Sequence, residues 1–294
     1  MKRMKCIGVL LSIFISQSVT AQSDSTKINS QDTIRIGGMI IIKKEAPDQK
    51  NRESTIYNET RRKQKRSNVS TAEWVIDIGF ANWVDKTDYA AATSQNYIVN
   101  KPSTPALGAN DFKLRSGKSS NVNIWVFMQR LNLIKHYVNL KYGLGVELNN
   151  YRFKTQISFK EGGAHPYGLL QNINHAFVFK DSISFSKNKL AADYATVPLM
   201  LNFNSDPNNS HKGISLSVGG SIGYLYSTRN KQVSAERGKR KNRGDYDLEK
   251  FKFSYIAELG LGPARLYGSY TPNSIFEKGL NVRTYNVGIR LSNW

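Results

Sequence analysis

Between Tyr137 and Leu148 apolar and polar residues alternate without a break. Val138, Leu140, Tyr142, Leu144, Val146 and Leu148 share one face; Asn139, Lys141, Gly143, Gly145 and Glu147 share the other. A period of two predicts a strand rather than a helix. The run is about twelve residues long, against roughly 5–6 for a strand in a soluble sheet and roughly 9–11 for a tilted strand that crosses a bilayer.

The pattern recurs along most of the chain. Trp74, Ile76, Ile78 and Phe80 alternate with Val75, Asp77, Gly79 and Ala81. Val197, Leu199, Leu201 and Phe203 alternate with Thr196, Pro198, Met200 and Asn202, and Phe251, Phe253 and Tyr255 alternate with Lys252, Ser254 and Ile256. The full set predicts eight strands, near residues 73–84, 120–132, 136–153, 190–203, 213–228, 250–261, 264–271 and 282–292. Connections after the odd-numbered strands are long (85–119, 154–189, 229–249, 272–281). Those after the even-numbered strands are short (133–135, 204–212, 262–263). Short periplasmic turns alternating with longer surface loops are the rule for outer-membrane barrels, and a soluble sandwich has no reason to follow it. The fold class is therefore all-β, a transmembrane antiparallel up-and-down β-barrel of eight strands over residues 73–294. Trp83, Tyr151, Phe153, Tyr194, Tyr226, Phe251 and Tyr270 near the loop ends, with Trp74, Phe203 and Trp294 near the turn ends, predict two interfacial aromatic girdles. Pro198 lacks a ladder donor and is expected at a bulge or an unpaired position.

The N-terminal segments break the pattern. Lys2, Arg3 and Lys5 precede a short apolar run from Cys6 to Ile15 and the small-residue site Val19-Thr20-Ala21. This predicts a cleaved export signal at residues 1–21. Residues 22–72 are polar and basic, with Lys50, Arg52, Arg61, Arg62, Lys63, Lys65 and Arg66 in the second half. They read as a mostly disordered periplasmic extension. The apolar island Ile34-Arg35-Ile36-Gly37-Gly38-Met39-Ile40-Ile41-Ile42 predicts a short strand or hairpin near 33–43, a candidate for pairing with the sheet edge of an envelope or secretion protein.

Two segments, Tyr194-Ala195-Thr196-Val197-Pro198-Leu199-Met200-Leu201 and Gly262-Pro263-Ala264-Arg265-Leu266-Tyr267-Gly268-Ser269-Tyr270 before a final strand, together with the exported N-terminus, resemble the outer-membrane β-barrel domain family that includes PorT-like proteins. The resemblance covers about residues 73–294. It implies an outer-membrane barrel, in some members connected with protein secretion.

Composition changes the picture in three ways. Mean hydropathy is −0.47, which does not argue against a barrel, because such strands face lipid with alternate residues only. The single cysteine, Cys6, lies within the expected signal, so the exported chain holds no disulfide, no thiolate metal site and no Cys nucleophile. The formal charge is +20, with 42 Lys+Arg against 22 Asp+Glu. An exported protein does not meet nucleic acid, so the expected partners are outer-membrane lipid and lipopolysaccharide. Arg229, Lys231, Arg237, Lys239, Arg240, Lys241 and Arg243 in the third surface loop are candidate contacts for lipopolysaccharide phosphates.

Little points to catalysis. No cofactor motif and no metal spacing such as HExxH is present. His136 and His211 fall in predicted turns, while His165 and His175 share one loop. His175, Asp181 and Ser182 imitate the His, acid and Ser set of a lipid A-modifying enzyme, which makes such an enzyme the alternative to a non-enzymatic barrel; a small diffusion channel is the third reading. The strand phases place Asp77, Lys141, Glu147, Glu258, Arg265 and Arg290 inside the barrel. An eight-stranded barrel has an interior just wide enough for side chains to fill, and charges shut away from water must be paired. Asp77 with Arg290, and Glu258 with Arg265, are the expected pairs.

Overall fold

The structure, a computed structural model, describes residues 67–168, 172–207 and 213–292, together with the strands Thr33–Ile36, Met39–Ile42 and Ile56–Asn58. The chain divides into two units, Met1–Lys65 and Arg66–Trp294. In the first, Met39–Ile42 pairs antiparallel with both Thr33–Ile36 and Ile56–Asn58. Of the rest of the basic extension expected over 22–72, residues 67–72 are described and Val69–Ala72 belongs to a barrel strand, Val69–Asp85; the remaining residues lie outside the described ones, as do His211 and Trp294.

The second unit is a closed barrel. Its strands are β1 (Val69–Asp85), β2 (Ser120–Ile134), β3 (Val138–Arg152), β4 (Lys187–Asn204), β5 (Ile214–Ser234), β6 (Phe251–Leu261), β7 (Ala264–Tyr270) and β8 (Val282–Leu291). Each pairs antiparallel with its sequence neighbour, and β8 pairs with β1, so the ring closes without an edge. Closure leaves no open sheet edge in a medium that offers no hydrogen bonds. The strand count and connection parity agree with the sequence reading.

Alternation decides which residues face lipid. Ile78, Phe80, Val197, Leu199, Val218, Ile222, Phe253, Val287 and Ile289 all point outward and are exposed, while Asp77, Asn121, Asn149, Ser217 and Asn286 point inward and are buried. A barrel polar inside and apolar outside suits an apolar surrounding such as a bilayer. Trp74 is 69% exposed and adopts φ of 62° where the β1–β2 register skips it and Val126. Pro198 pairs in register with β5, and the β3–β4 register is interrupted at Val197 and Pro198, so its missing donor costs no bond on that side.

The short turns carry their own local logic. Leu261 pairs with Ala264 across Gly262-Pro263. Gly262 has φ of 60°, and proline fixes φ near −65° at the next position. That combination is a two-residue hairpin turn of the II′ kind, whose twist matches the flanking strands.

The aromatic girdles differ in part from expectation. Tyr226, Phe251 and Tyr270 face outward near the loop ends, as do Trp74 and Phe203 near the turns. Trp83, Tyr151, Phe153 and Tyr194 instead point inward and are buried. Their strands rise beyond the apolar belt, and above it the inward face meets protein packed over the barrel mouth.

Candidate functional site

The lumen is built from the inward positions of all eight strands. Arg290 of β8 lies directly opposite Asp77 of β1 in the ladder. Its guanidinium grips that carboxylate with two bonds, Nε–Oδ1 at 2.6 Å and Nη2–Oδ2 at 2.8 Å. Asp77 Oδ2 also accepts from Asn123 Nδ2 at 3.0 Å and Trp125 Nε1 at 2.8 Å. The third arm of Arg290 crosses to Glu258 at 2.6 Å. Glu258 in turn accepts from Lys141 at 2.6 Å and from Arg265 at 3.1 Å. These charges tie five strands, β1, β3, β6, β7 and β8, through the barrel centre and not only around its wall. Asp77, Lys141 and Glu258 are each 2% exposed or less.

A second knot lies beside the first. Glu147 accepts from Lys252 at 2.5 Å, from Asn149 at 3.1 Å and from Asn286 at 3.4 Å. The Lys252 ammonium stands 4.4 Å from the Tyr194 ring centre, and the Arg290 guanidinium 5.7 Å from that of Trp125. The sequence reading omitted Lys252 from the interior charges, although its alternation with Phe251 and Phe253 puts it on the inward face. Its inclusion makes four buried cations against three carboxylates. Asn121, held by Tyr267, Asn123 and Asn149, links the two knots. A residual void of about 20 Å³ is lined by Asp77, Asn123, Trp125, Glu147 and Arg290, among others.

Above the charges the long connections build a cap. Ile98–Val99, Phe177–Lys180 and Ile157–Lys160 form a three-stranded sheet. A helix at Tyr89–Ser94 starts on Asp88, whose carboxylate accepts from the Ala90 and Ala91 amides at 3.1 Å. The aromatic residues close the mouth: Trp83 stacks on Tyr151 at 5.2 Å, Phe153 meets Phe159 at 5.6 Å, and Phe159 meets Tyr246 at 5.9 Å and Phe276 at 6.3 Å. Burial holds the Tyr97 hydroxyl well above its ordinary pKa, with Asp247 adding to the effect. The hydroxyl donates to the Tyr246 carbonyl at 3.0 Å. These residues were legible as aromatic, but the lid they form joins four loops distant in sequence.

The third connection is not the open loop that the sequence suggested. β5 continues to Ser234 and turns into a further strand, Gly238–Arg243. The sequence signal was weak because both faces of this hairpin are polar. The hairpin divides the seven candidate cations. Arg229 and Lys231 on β5, with Lys239, Lys241 and Arg243 on the added strand, share one face by their register. Arg237 and Arg240 lie elsewhere: Arg237 pairs with Asp181 at 3.1 Å, and both line a recess of about 280 Å³ with Gln232 and Ser234.

Compared with known protein families, residues 50–281 match the sequence profile described as outer membrane protein beta-barrel domain. The chain belongs to that family. Its membership places this barrel in the outer membrane, in agreement with the apolar belt and the connection parity. Among solved structures, it is similar to the crystal structure of Ail, the attachment invasion locus protein of Yersinia pestis, in complex with the heparin analogue sucrose octasulfate. The two are 14% identical, the match covers 75% of this chain and 99% of that one, and the TM-score is 0.28, too low to carry an argument. A comparison with curated proteins found no match.

Within this outer-membrane barrel Asp181 and His175 have partners outside the set His175, Asp181 and Ser182. Asp181 accepts from Ser158 at 3.0 Å and pairs with Arg237, and the His175 Nδ1 lies 2.9 Å from the Ala176 carbonyl. No hydrogen bond joins the three among the described residues. His136 occupies the β2–β3 turn with φ of 63° and takes the Asn132 side-chain oxygen on its amide at 2.6 Å. His165 lies 6.0 Å from Tyr167, ring to ring.

Proposed function

We propose that this outer-membrane barrel is a closed, non-enzymatic component with a structural, binding or secretion-associated role of the PorT-like kind. Its working surfaces are then the extracellular cap, the basic hairpin and the N-terminal extension, not the lumen. The observation that carries this reading is the pairing across the barrel centre, in which Asp77, Arg290, Glu258 and Lys141 meet at 2.6–2.8 Å. Charges held by such partners do not leave a continuous path for water and ions, and the aromatic lid covers them.

Two experiments test it. Planar-bilayer recordings of the purified protein are expected to show no steady, large conductance; a stable open level would mean a diffusion channel. A deletion strain is expected to show a secretion or envelope defect with lipid A of unchanged mass. Lipid A that differs in acyl or phosphate content between the strains would instead favour an enzyme.

A further inference from the structure

The outward face above the apolar belt holds more cations than the hairpin alone. Register aligns Arg152, Lys189, Lys231 and Lys241 side by side across β3, β4, β5 and the added strand. The next row up contains Lys187, Val233 and Lys239; the next row down contains Asn150, Ala191, Arg229 and Arg243. Neighbouring strands lie about 4.8 Å apart, so these are direct like-charge neighbours, an arrangement that is destabilising by itself. Among the described residues the sole carboxylate paired with them is Asp193, through Arg229. The Lys189 ammonium is held down to about 8, first by burial and then by Lys231, Lys187 and Arg229.

A bulge makes this face. Below it the outward residues of β5 are even-numbered, Ile222 and Tyr224; the β4 register then skips Tyr226, and above it Arg229 and Lys231 oppose Ala191 and Lys189. An extra residue reverses the side on which the following residues emerge. Without the bulge, Arg229 and Lys231 would point to the barrel axis. They stand three and five residues past Tyr226, about 10 and 17 Å along the strand. That is head-group height above exposed Tyr224 and Tyr226.

We infer that this cation ladder, formed by Arg152, Lys187, Lys189, Arg229, Lys231, Lys239, Lys241 and Arg243, binds the phosphates of a lipid A-type glycolipid whose acyl chains lie on the apolar belt below. The geometry favours a membrane amphiphile over a soluble polyanion because the cations continue the lipid-facing side of the strands. A phosphate among them replaces repulsion with charge-assisted bonds. The inference rests on the outer-membrane location and not on the absence of catalysis. It also divides the basic loop: Arg237 and Arg240 lie outside the site.

The test uses the full chain folded in neutral detergent, with native mass spectrometry and thermal unfolding as readouts. Bis-phosphorylated lipid A is expected to stay bound and raise the unfolding temperature, and the same lipid A stripped of phosphate is not. The combined variant Lys189→Gln, Lys231→Gln, Lys241→Gln and Arg243→Gln is expected to weaken binding by about tenfold or more, while Arg237→Gln with Arg240→Gln retains it. Folding of each variant is checked by heat-modifiable migration; if the combined variant does not fold, the single variants Lys231→Gln and Lys241→Gln carry the comparison. Equal binding of dephosphorylated lipid A, displacement by heparin or inorganic phosphate, or equal loss in the Arg237 and Arg240 variant would overturn the proposal. The lipid A mass of the deletion strain, which tests for catalysis, is independent of every one of these outcomes.

Discussion

The barrel holds two dense groups of charge with opposite physical fates. In the lumen four cations meet three carboxylates, all buried and in contact. On the outer face above the belt eight cations meet one paired carboxylate. Both groups arise from the same alternation, one residue in and one residue out. The difference lies in what each face meets. Inside, a desolvated charge costs several kcal/mol unless a partner repays it, so acids and bases from distant strands are brought together. Outside, at the head groups, counter-charge comes from the surroundings, and the chain need not supply it.

The sharpest way to break this contrast is to remove the shared acid of the lumen. Glu258→Gln leaves Lys141, Arg265 and part of Arg290 without their carboxylate. It is expected to lower stability by about 3–5 kcal/mol, read by urea unfolding in lipid vesicles. A change under about 1 kcal/mol would mean that the interior is hydrated and the pairing weak.

Lys252→Met is expected to cost less, about 1–3 kcal/mol, because Glu147 keeps Asn149 and Asn286 as donors. Combining it with Glu147→Gln should recover part of the loss, and strict additivity would show that the pair is not coupled. On the outer face the sign reverses. Lys241→Gln removes a like-charge neighbour of Lys231 and is expected to stabilise the lipid-free protein by about 0.2–1 kcal/mol, measured in the same unfolding assay.

The smallest effect is a pH dependence. The Lys189 pKa is lowered from 10.5 to about 8. The unfolded chain therefore binds more protons than the folded one between these values, and stability rises with pH through that window. Lys189→Gln should raise the unfolding temperature at pH 7, with the gain fading as pH climbs from about 8 towards 10.5. A gain that is independent of pH would assign the effect to packing instead.

Much of this was legible from period two alone. The alternation around Lys141, Glu147 and Arg290 told inside from outside before any coordinate, and the succession of periodic runs gave eight strands, with the parity of connection lengths in support. Asp77 with Arg290, and Glu258 with Arg265, were foreseeable because each pair sits on neighbouring strands. Trp83, Tyr151, Phe153 and Tyr194 were misread as girdle residues, because alternation says which side a residue takes but not what covers that side. The strand Gly238–Arg243 escaped notice because a hairpin polar on both faces has no hydrophobic period to detect.

By itself the sequence determined the strands, their facing and the class of membrane they suit, because these follow from local periodicity against a two-sided environment. Tertiary structure alone decided that Glu258 joins Lys141 and Arg290 across the lumen, that four distant loops share one aromatic lid, and that a bulge at Tyr226 turns Arg229 and Lys231 outward. Each depends on register between strands far apart in the chain, where a shift of one residue moves a side chain to the opposite face.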